Sequence, residues 1–371
     1  MTRRLTAIAL TCLVALGVAV GASVPAGNAA VAPLGGGVGA IANEPLTPAQ
    51  TRARSRTTAW IVTWDQARVM ASLRAHRRQI GTISPFWYEL ATNGRKVVTR
   101  DGAGNRELLQ IAAAEDMRVI PTVTNEFDAA RVSAALRTAA TRRRHIAQLV
   151  ALAARPAFGG IDLDYEQVAV ADRARFTAFV RDLGIALRAR GKVLSISVPP
   201  LTANDAGAAA SALDLAAIGR AADEVRVLAY DYSFPCGGAG PISPIDWVDD
   251  VLAYTLQSMP ARKVILGTSL YGYDWPVEGC GKSLTWTQIQ AAKRAHSGRL
   301  GWSVRWQSRM MRYTANGTAH VVWFDDAASV AAKSKATERL LLRGIAFWRI
   351  GGEDPQVWTR SGAILGAQRA R

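Results

Sequence analysis

Short apolar runs, each closed by turn residues and separated from the next by a helical pattern, recur eight times along the chain. They fall at 58–63, 79–85, 118–124, 160–166, 193–199, 225–231, 264–270 and 344–349. Amphipathic stretches such as 172–190 and 244–258 lie between them. Strict alternation of strand and helix predicts a parallel sheet with right-handed crossovers, because parallel neighbours need a crossover and right-twisted strands return only one way. Eight such units predict a closed (β/α)8 barrel of the TIM type, and 371 residues suffice for one as a single unit. A doubly wound open sheet is the rival, but no Gly-rich phosphate turn follows the opening strand.

One interval is too long for a single helix. Residues 276–343 separate the seventh strand from the eighth, and inside them the runs 310–313 and 320–324 flank Ala315-Asn316-Gly317. Asn-Gly between apolar runs signals a hairpin. A small α+β insertion is therefore expected there, standing over the barrel rim as one wall of a cleft.

The first residues carry Arg3 and Arg4, an apolar run over about 5–20, and small residues at Gly27, Asn28 and Ala29, the pattern of a secretory signal peptide over 1–29. Residues 30–56 have no apolar periodicity and read as a flexible linker, which leaves 57–371 for the barrel. No later segment is long and apolar enough to span a bilayer, so no stable membrane insertion is expected after cleavage. Loss of Cys12 with the leader leaves Cys236 and Cys280, and an even pair in an exported chain suggests a disulfide. The net charge of +16 falls to +14 without the leader's two arginines. Nucleic acid is not the expected partner, because no nucleic-acid-binding motif accompanies the charge. An acidic cell-envelope polymer fits export better, with a merely solvated basic surface as the alternative. A monomer, secreted or associated with the cell wall, is expected.

Chemistry concentrates on the fourth run, Ile161-Asp162-Leu163-Asp164-Tyr165-Glu166. Side chains alternate along a strand, so Asp162, Asp164 and Glu166 share one face, the one turned to the barrel axis. Three acids lining a core are costly unless protons are shared, because each charge raises the pKa of its neighbour. Glu166, the outermost, falls at the carboxyl end of the strand, where barrels deliver catalytic residues. A half-exposed surface strand or a set of calcium or magnesium ligands would be the alternatives. Metal ligands usually gather around a loop rather than alternate along a strand, and His76, His145, His296 and His320 form no ligand-spaced pair. Neither metal nor cofactor is expected.

The run from Phe158 to Glu166 resembles the fourth-strand signature of glycoside hydrolase family 18, Asp-Gly-x-Asp-x-Asp-x-Glu. Leu228-Ala229-Tyr230-Asp231 is similar to that family's sixth-strand Met-x-Tyr-Asp, residues 267–272 to its seventh-strand Gly-x-x-x-Tyr-Gly, and Trp348 to its eighth-strand tryptophan. Residues 321–326 and 347–355 further resemble the bacterial branch that includes spore-cortex glucosaminidases. Gly159 stands where the family has its first aspartate, and Leu228 where it has methionine.

The resemblance implies a retaining glycosidase acting on β-1,4-linked N-acetylglucosamine polymers, peptidoglycan or chitin, with the substrate's own acetamido oxygen as nucleophile. In it Glu166 is the acid, Asp164 holds the acetamido group and shares a proton, Asp162 buffers that exchange, and Tyr230 donates to the acetamido oxygen. Asp231, Trp348, Tyr271 and Trp87 would bind substrate, with Tyr88, Tyr273 and Trp275 as further aromatic candidates. Cys236 and Cys280 would sit on adjacent loops of the catalytic face. A chitinase-like lectin that binds without cutting is the alternative, kept open by Gly159.

Overall fold

The computed structural model describes residues 45–205 and 212–367; the expected signal peptide and the first part of the lead-in lie outside them. Eight parallel strands form the barrel: β1 (Thr57–Ile61), β2 (Thr82–Pro85), β3 in two halves (Arg118–Val119 and Thr122–Thr124), β4 (Gly160–Asp164), β5 (Val193–Val198), β6 (Glu224–Leu228), β7 (Val264–Ser269) and β8 (Gly344–Trp348). Each pairs with the next, and β8 pairs with β1, so the sheet closes. Pro121 has no N–H to give and splits β3. The ladder survives the split, because Ile120 N–H donates to the Ile83 carbonyl at 2.9 Å and the Pro121 carbonyl accepts from Asp162 N–H at 2.9 Å.

Strand alternation sorts the side chains into two shells. Ile161, Leu163, Val225, Val227, Leu266 and Ile345 point outward into the main core beneath the helices. One of these helices, Arg173–Arg188, turns Phe176, Phe179, Val180, Leu183 and Leu187 inward at helical spacing. Each fully buried side chain of this kind contributes about 1.5–3 kcal/mol. Within the barrel an apolar plug of Trp60, Phe86, Leu228, Ile265 and Ala346 shares the interior with Ser84, Thr122, Asp162, Asp164, Ser195, Glu224 and Arg226, all buried.

The insertion is a five-stranded antiparallel sheet in the order Lys282–Leu284, Gly272–Pro276, Thr318–Phe324, Ser308–Ala315, Arg299–Ser303, with the helix Trp286–Ala295 packed on it. Asn316 and Gly317 both have positive φ, 50° and 77°, as a two-residue hairpin turn of this hand requires. Its limits differ from 276–343. The sheet begins at Gly272, directly after β7, and the helix Ala327–Arg339 belongs to the barrel's outer ring, packed on Gln356–Gly366 and β7.

Folded structure also begins earlier than residue 57. Pro48–Ser55 is a helix, started by a capping box between Thr47 and Gln50 with Pro48 in the first turn. It docks on the last helix, where Arg52 donates from Nε and Nη2 to the Gly366 carbonyl at 3.0 and 2.7 Å. A Cβ on Gly366 would meet the Ala49 carbonyl oxygen at 2.6 Å, so the close approach needs glycine. The lead-in is thus ordered helix over this part. Among the described residues no helix is long and apolar enough to cross a membrane.

Candidate active site

Glu166 lies two residues beyond β4 and is partly accessible from the carboxyl end of the barrel, whereas Asp164 and Asp162 on the same face are buried, Asp162 completely. Its backbone is fixed by a neighbour. Asn125, just past the end of β3, donates from Nδ2 to the Glu166 carbonyl at 2.8 Å and accepts at Oδ1 from Glu166 N–H at 2.9 Å. Asn125 is itself fully buried.

The loops after β6 and β7 supply the opposite wall. Asp231 follows β6 with φ of 58°, and its Oδ1 accepts hydrogen bonds from the hydroxyls of Tyr271 and Tyr273, the latter at 2.9 Å. Tyr273 belongs to the insertion sheet, so the insertion reaches the site through this bond. Trp348 ends β8 and lies parallel to Tyr230, 4° between ring planes at 6.5 Å. Trp60, Phe86 and Trp64 pack around it at 5.9, 5.0 and 6.4 Å. Trp64 is 57% exposed, which extends the aromatic surface outward.

Burial, followed by the charge of Asp231, pushes the Glu166 carboxyl up to about 7. Burial pushes Asp164 well above the usual carboxylate range, and the charges of Glu166 and Asp162 push it further. Asp231 is also raised by burial, against which the two tyrosine hydrogen bonds act. Burial and the surrounding carboxylates hold the Tyr230 phenol above its ordinary value, so it remains a hydroxyl donor. A carboxyl that keeps its proton to neutrality, beside a second one that shares the cost of charge, can protonate a leaving oxygen.

The structure therefore brings Glu166, Asp164, Tyr230, Asp231, Tyr271 and Trp348 to one end of the barrel, with Asp162 on the same face but buried beneath them. Trp87 does not join them. It is 1% exposed and packs against Phe158 in the core between sheet and helices, because the chain turns just past β2, where Trp87 N–H donates to the Pro85 carbonyl at 2.9 Å, leaving Phe86 in the barrel interior and Trp87 outside it. Tyr88 and Trp275 are also buried, held by Arg155 and by the Pro235 carbonyl. Cys236 and Cys280 form a disulfide that joins the loop after β6 to the insertion, with Cα atoms 4.5 Å apart. Three contributors were absent from the sequence-based expectation: Asn125, Trp64 and the buried Arg226, which meets Asp162 at 2.8 Å. Among the described residues no three His, Cys, Asp or Glu side chains gather as a metal site.

The profile of the family described as glycosyl hydrolases family 18 matches residues 78–353. The cortical fragment-lytic enzyme of Bacillus subtilis (strain 168) is 33% identical over 224 residues, covering 58% of this chain and 52% of that enzyme. The chain thus spans about half the length of that relative. Among solved structures, a chitinase from Chromobacterium violaceum superposes with a TM-score of 0.79 at 28% identity, over 85% of this chain and 100% of the other. The spore cortex-lytic enzyme SleL of Bacillus cereus does so with 0.76 at 26% identity, over 83% and 73%.

Proposed function

This chain belongs to glycosyl hydrolases family 18, and on that premise we propose that it is a secreted, retaining glycosidase cleaving β-1,4-linked N-acetylglucosamine polysaccharide by substrate-assisted acid catalysis. Its membership makes it a glycoside hydrolase; bond type, nucleophile and location are the proposal. Glu166 carries the reading, as a carboxyl pushed up to about 7 at the mouth of the barrel. Glu166 gives its proton to the glycosidic oxygen while the acetamido oxygen attacks the anomeric carbon from the opposite face and the leaving sugar departs. Glu166, now a carboxylate, takes a proton from the water that opens the cyclic intermediate, and configuration is retained. Asp164 accepts from the acetamido N–H, Tyr230 donates to the acetamido oxygen, and Trp348 forms the floor under the sugar ring.

Peptidoglycan is favoured over chitin as the natural polymer. One relative is named a cortical fragment-lytic enzyme and one solved structure a spore cortex-lytic enzyme, and the net charge of +14 left without the leader suits an anionic wall. Secretion rests on the basic, apolar and small-residue pattern of the first residues. The test is mass analysis of fragments released from purified peptidoglycan and from chitin by the parent and Glu166→Gln. Fragments ending in N-acetylglucosamine are expected from the parent and almost none from the variant. Unchanged turnover in a folded Glu166→Gln would sink the assignment, and binding to polymer without release of reducing ends would favour a lectin.

A further inference from the structure

Beneath the acids that the reaction uses, the barrel holds a second set of charges. Arg226 and Asp162 form an ion pair at 2.8 Å with neither side chain exposed. Asp162 Oδ2 also accepts from Trp60 Nε1 at 3.2 Å and Thr122 Oγ1 at 3.1 Å. Arg226 donates to Ser84 Oγ at 2.6 Å, and its guanidinium carbon stands 5.4 Å from the centroid of the Trp60 ring. Nearer the start of β6, the buried Glu224 meets Arg118 at 2.6 Å and Arg343 at 2.8 Å. A Cβ on Gly159 would come within 2.9 Å of Arg118 Cγ, so the stem of that arginine runs past the position of the aspartate missing from the family pattern.

Stability alone does not account for such a chain of charges, because a dry ion pair rarely outdoes well-packed apolar side chains. We propose that Arg226 is a positioning residue for acid catalysis: it holds Asp162 as a carboxylate, so the mobile proton of the acid strand is confined to Asp164 and Glu166. Glu224, delivered from β6, balances Arg118 in place of the acid that residue 159 lacks. Asp162 then acts as a fixed negative charge, and not as the proton buffer expected from the family resemblance. Around it stand Arg226, Trp60, Thr122 and Asp164; around Asp164 stand Glu166, Asp162, Tyr230, Ser197 and Arg226; around Glu166 stand Asp231, Asp164 and Tyr230. A fixed charge on Asp162 disfavours a second on Asp164, consistent with the upward push on Asp164.

The kinetic arm of the test rests on the proposed glycosidase reading, and the spectroscopic arm does not. Difference infrared spectroscopy of the carboxylic-acid stretch at neutral pH is expected to show one additional protonated acid in Arg226→Met, because Asp162 loses its partner and takes up a proton. Adding Asp162→Asn to that variant should remove the extra band, and Arg226→Lys should not produce it. A folded Arg226→Met without the extra band overturns the proposal. Should Arg226→Met fail to fold, Asp162→Asn still decides. It leaves Arg226 unopposed, so the alkaline limb of kcat/KM on an N-acetylglucosamine oligomer moves down by about one pH unit or more, and Arg226→Met/Asp162→Asn brings it back. A limb that stays in place overturns the proposal. Loss of all glycosidase activity in the parent would instead refute the functional reading and leave the infrared result standing.

Discussion

Asn125 grips the main chain of Glu166 from both sides, donating to its carbonyl and accepting from its N–H with one carboxamide. A carboxamide does both at once; a carboxylate can only accept, and alanine can do neither. Asn125→Ala is therefore expected to lower kcat by on the order of 10²-fold through misplacement of the acid, with Asn125→Asp between it and the parent. Steady-state kinetics check this. Equal kcat in all three proteins would show that the grip does not position Glu166.

The acid must carry its proton, so kcat/KM is expected to fall as pH rises through about 7. Asp231→Asn removes a negative charge that supports this value, and the limb should move down toward the ordinary 4.5 of glutamate. Stability follows the same group. Glu166 binds its proton more tightly in the folded chain, so its contribution is complete below about 4.5 and lost as pH rises to about 7. Glu166→Gln, with no charge to bury, should be more stable than the parent at pH 8 by up to about 3 kcal/mol, at roughly 1.4 kcal/mol per pKa unit. Thermal melts of both proteins at pH 4 and pH 8 test the sign.

Two tryptophans should separate binding from folding. Trp348→Ala removes the half-buried floor and is expected to raise KM by roughly ten- to a hundredfold with a smaller change in melting temperature. Trp87→Ala empties a core site against Phe158 and should cost about 3–5 kcal/mol in denaturant unfolding, with KM unchanged in the folded fraction.

Glu224→Gln leaves Arg118 and Arg343 facing an uncharged amide, and because both guanidinium groups still reach solvent the barrel should be destabilised by about 1–2 kcal/mol, less than an orphaned buried charge would cost. Adding Gly159→Asp restores a carboxylate beside Arg118, whose flexible stem can move aside, and is expected to recover part of the loss. Denaturant midpoints measure it; a pair of variants no better than Glu224→Gln alone would show that the two positions are not equivalent.

Much of this molecule is written in its periodicities. The eight strands, the Asn316-Gly317 hairpin and the alignment of Asp162, Asp164 and Glu166 follow from alternation and turn chemistry. What escaped has physical reasons. Trp87 and Phe86 are neighbours in a tight turn just past β2, where one position decides between the barrel interior and the outer core. The helix Pro48–Ser55 has almost no apolar stripe to betray it; its signal was local, in Thr47, Pro48 and Gln50. Asn125 acts on backbone groups, which leave no mark on the sequence of the residue they belong to. Arg226 was legible in principle, since Glu224-Val225-Arg226-Val227 places two charges on the inward face of a barrel strand, as β4 does with its acids.

The hydroxyls of Tyr271 and Tyr273 converge on Asp231, and the charge on Asp231 in turn raises Glu166. A module grafted onto the barrel between β7 and β8 is therefore wired into the proton affinity of the acid. An exchange of this insertion between family members would carry a pH optimum with it as well as a cleft wall, so that tailoring for a new polymer and tuning to the acidity of its surroundings would be inherited together.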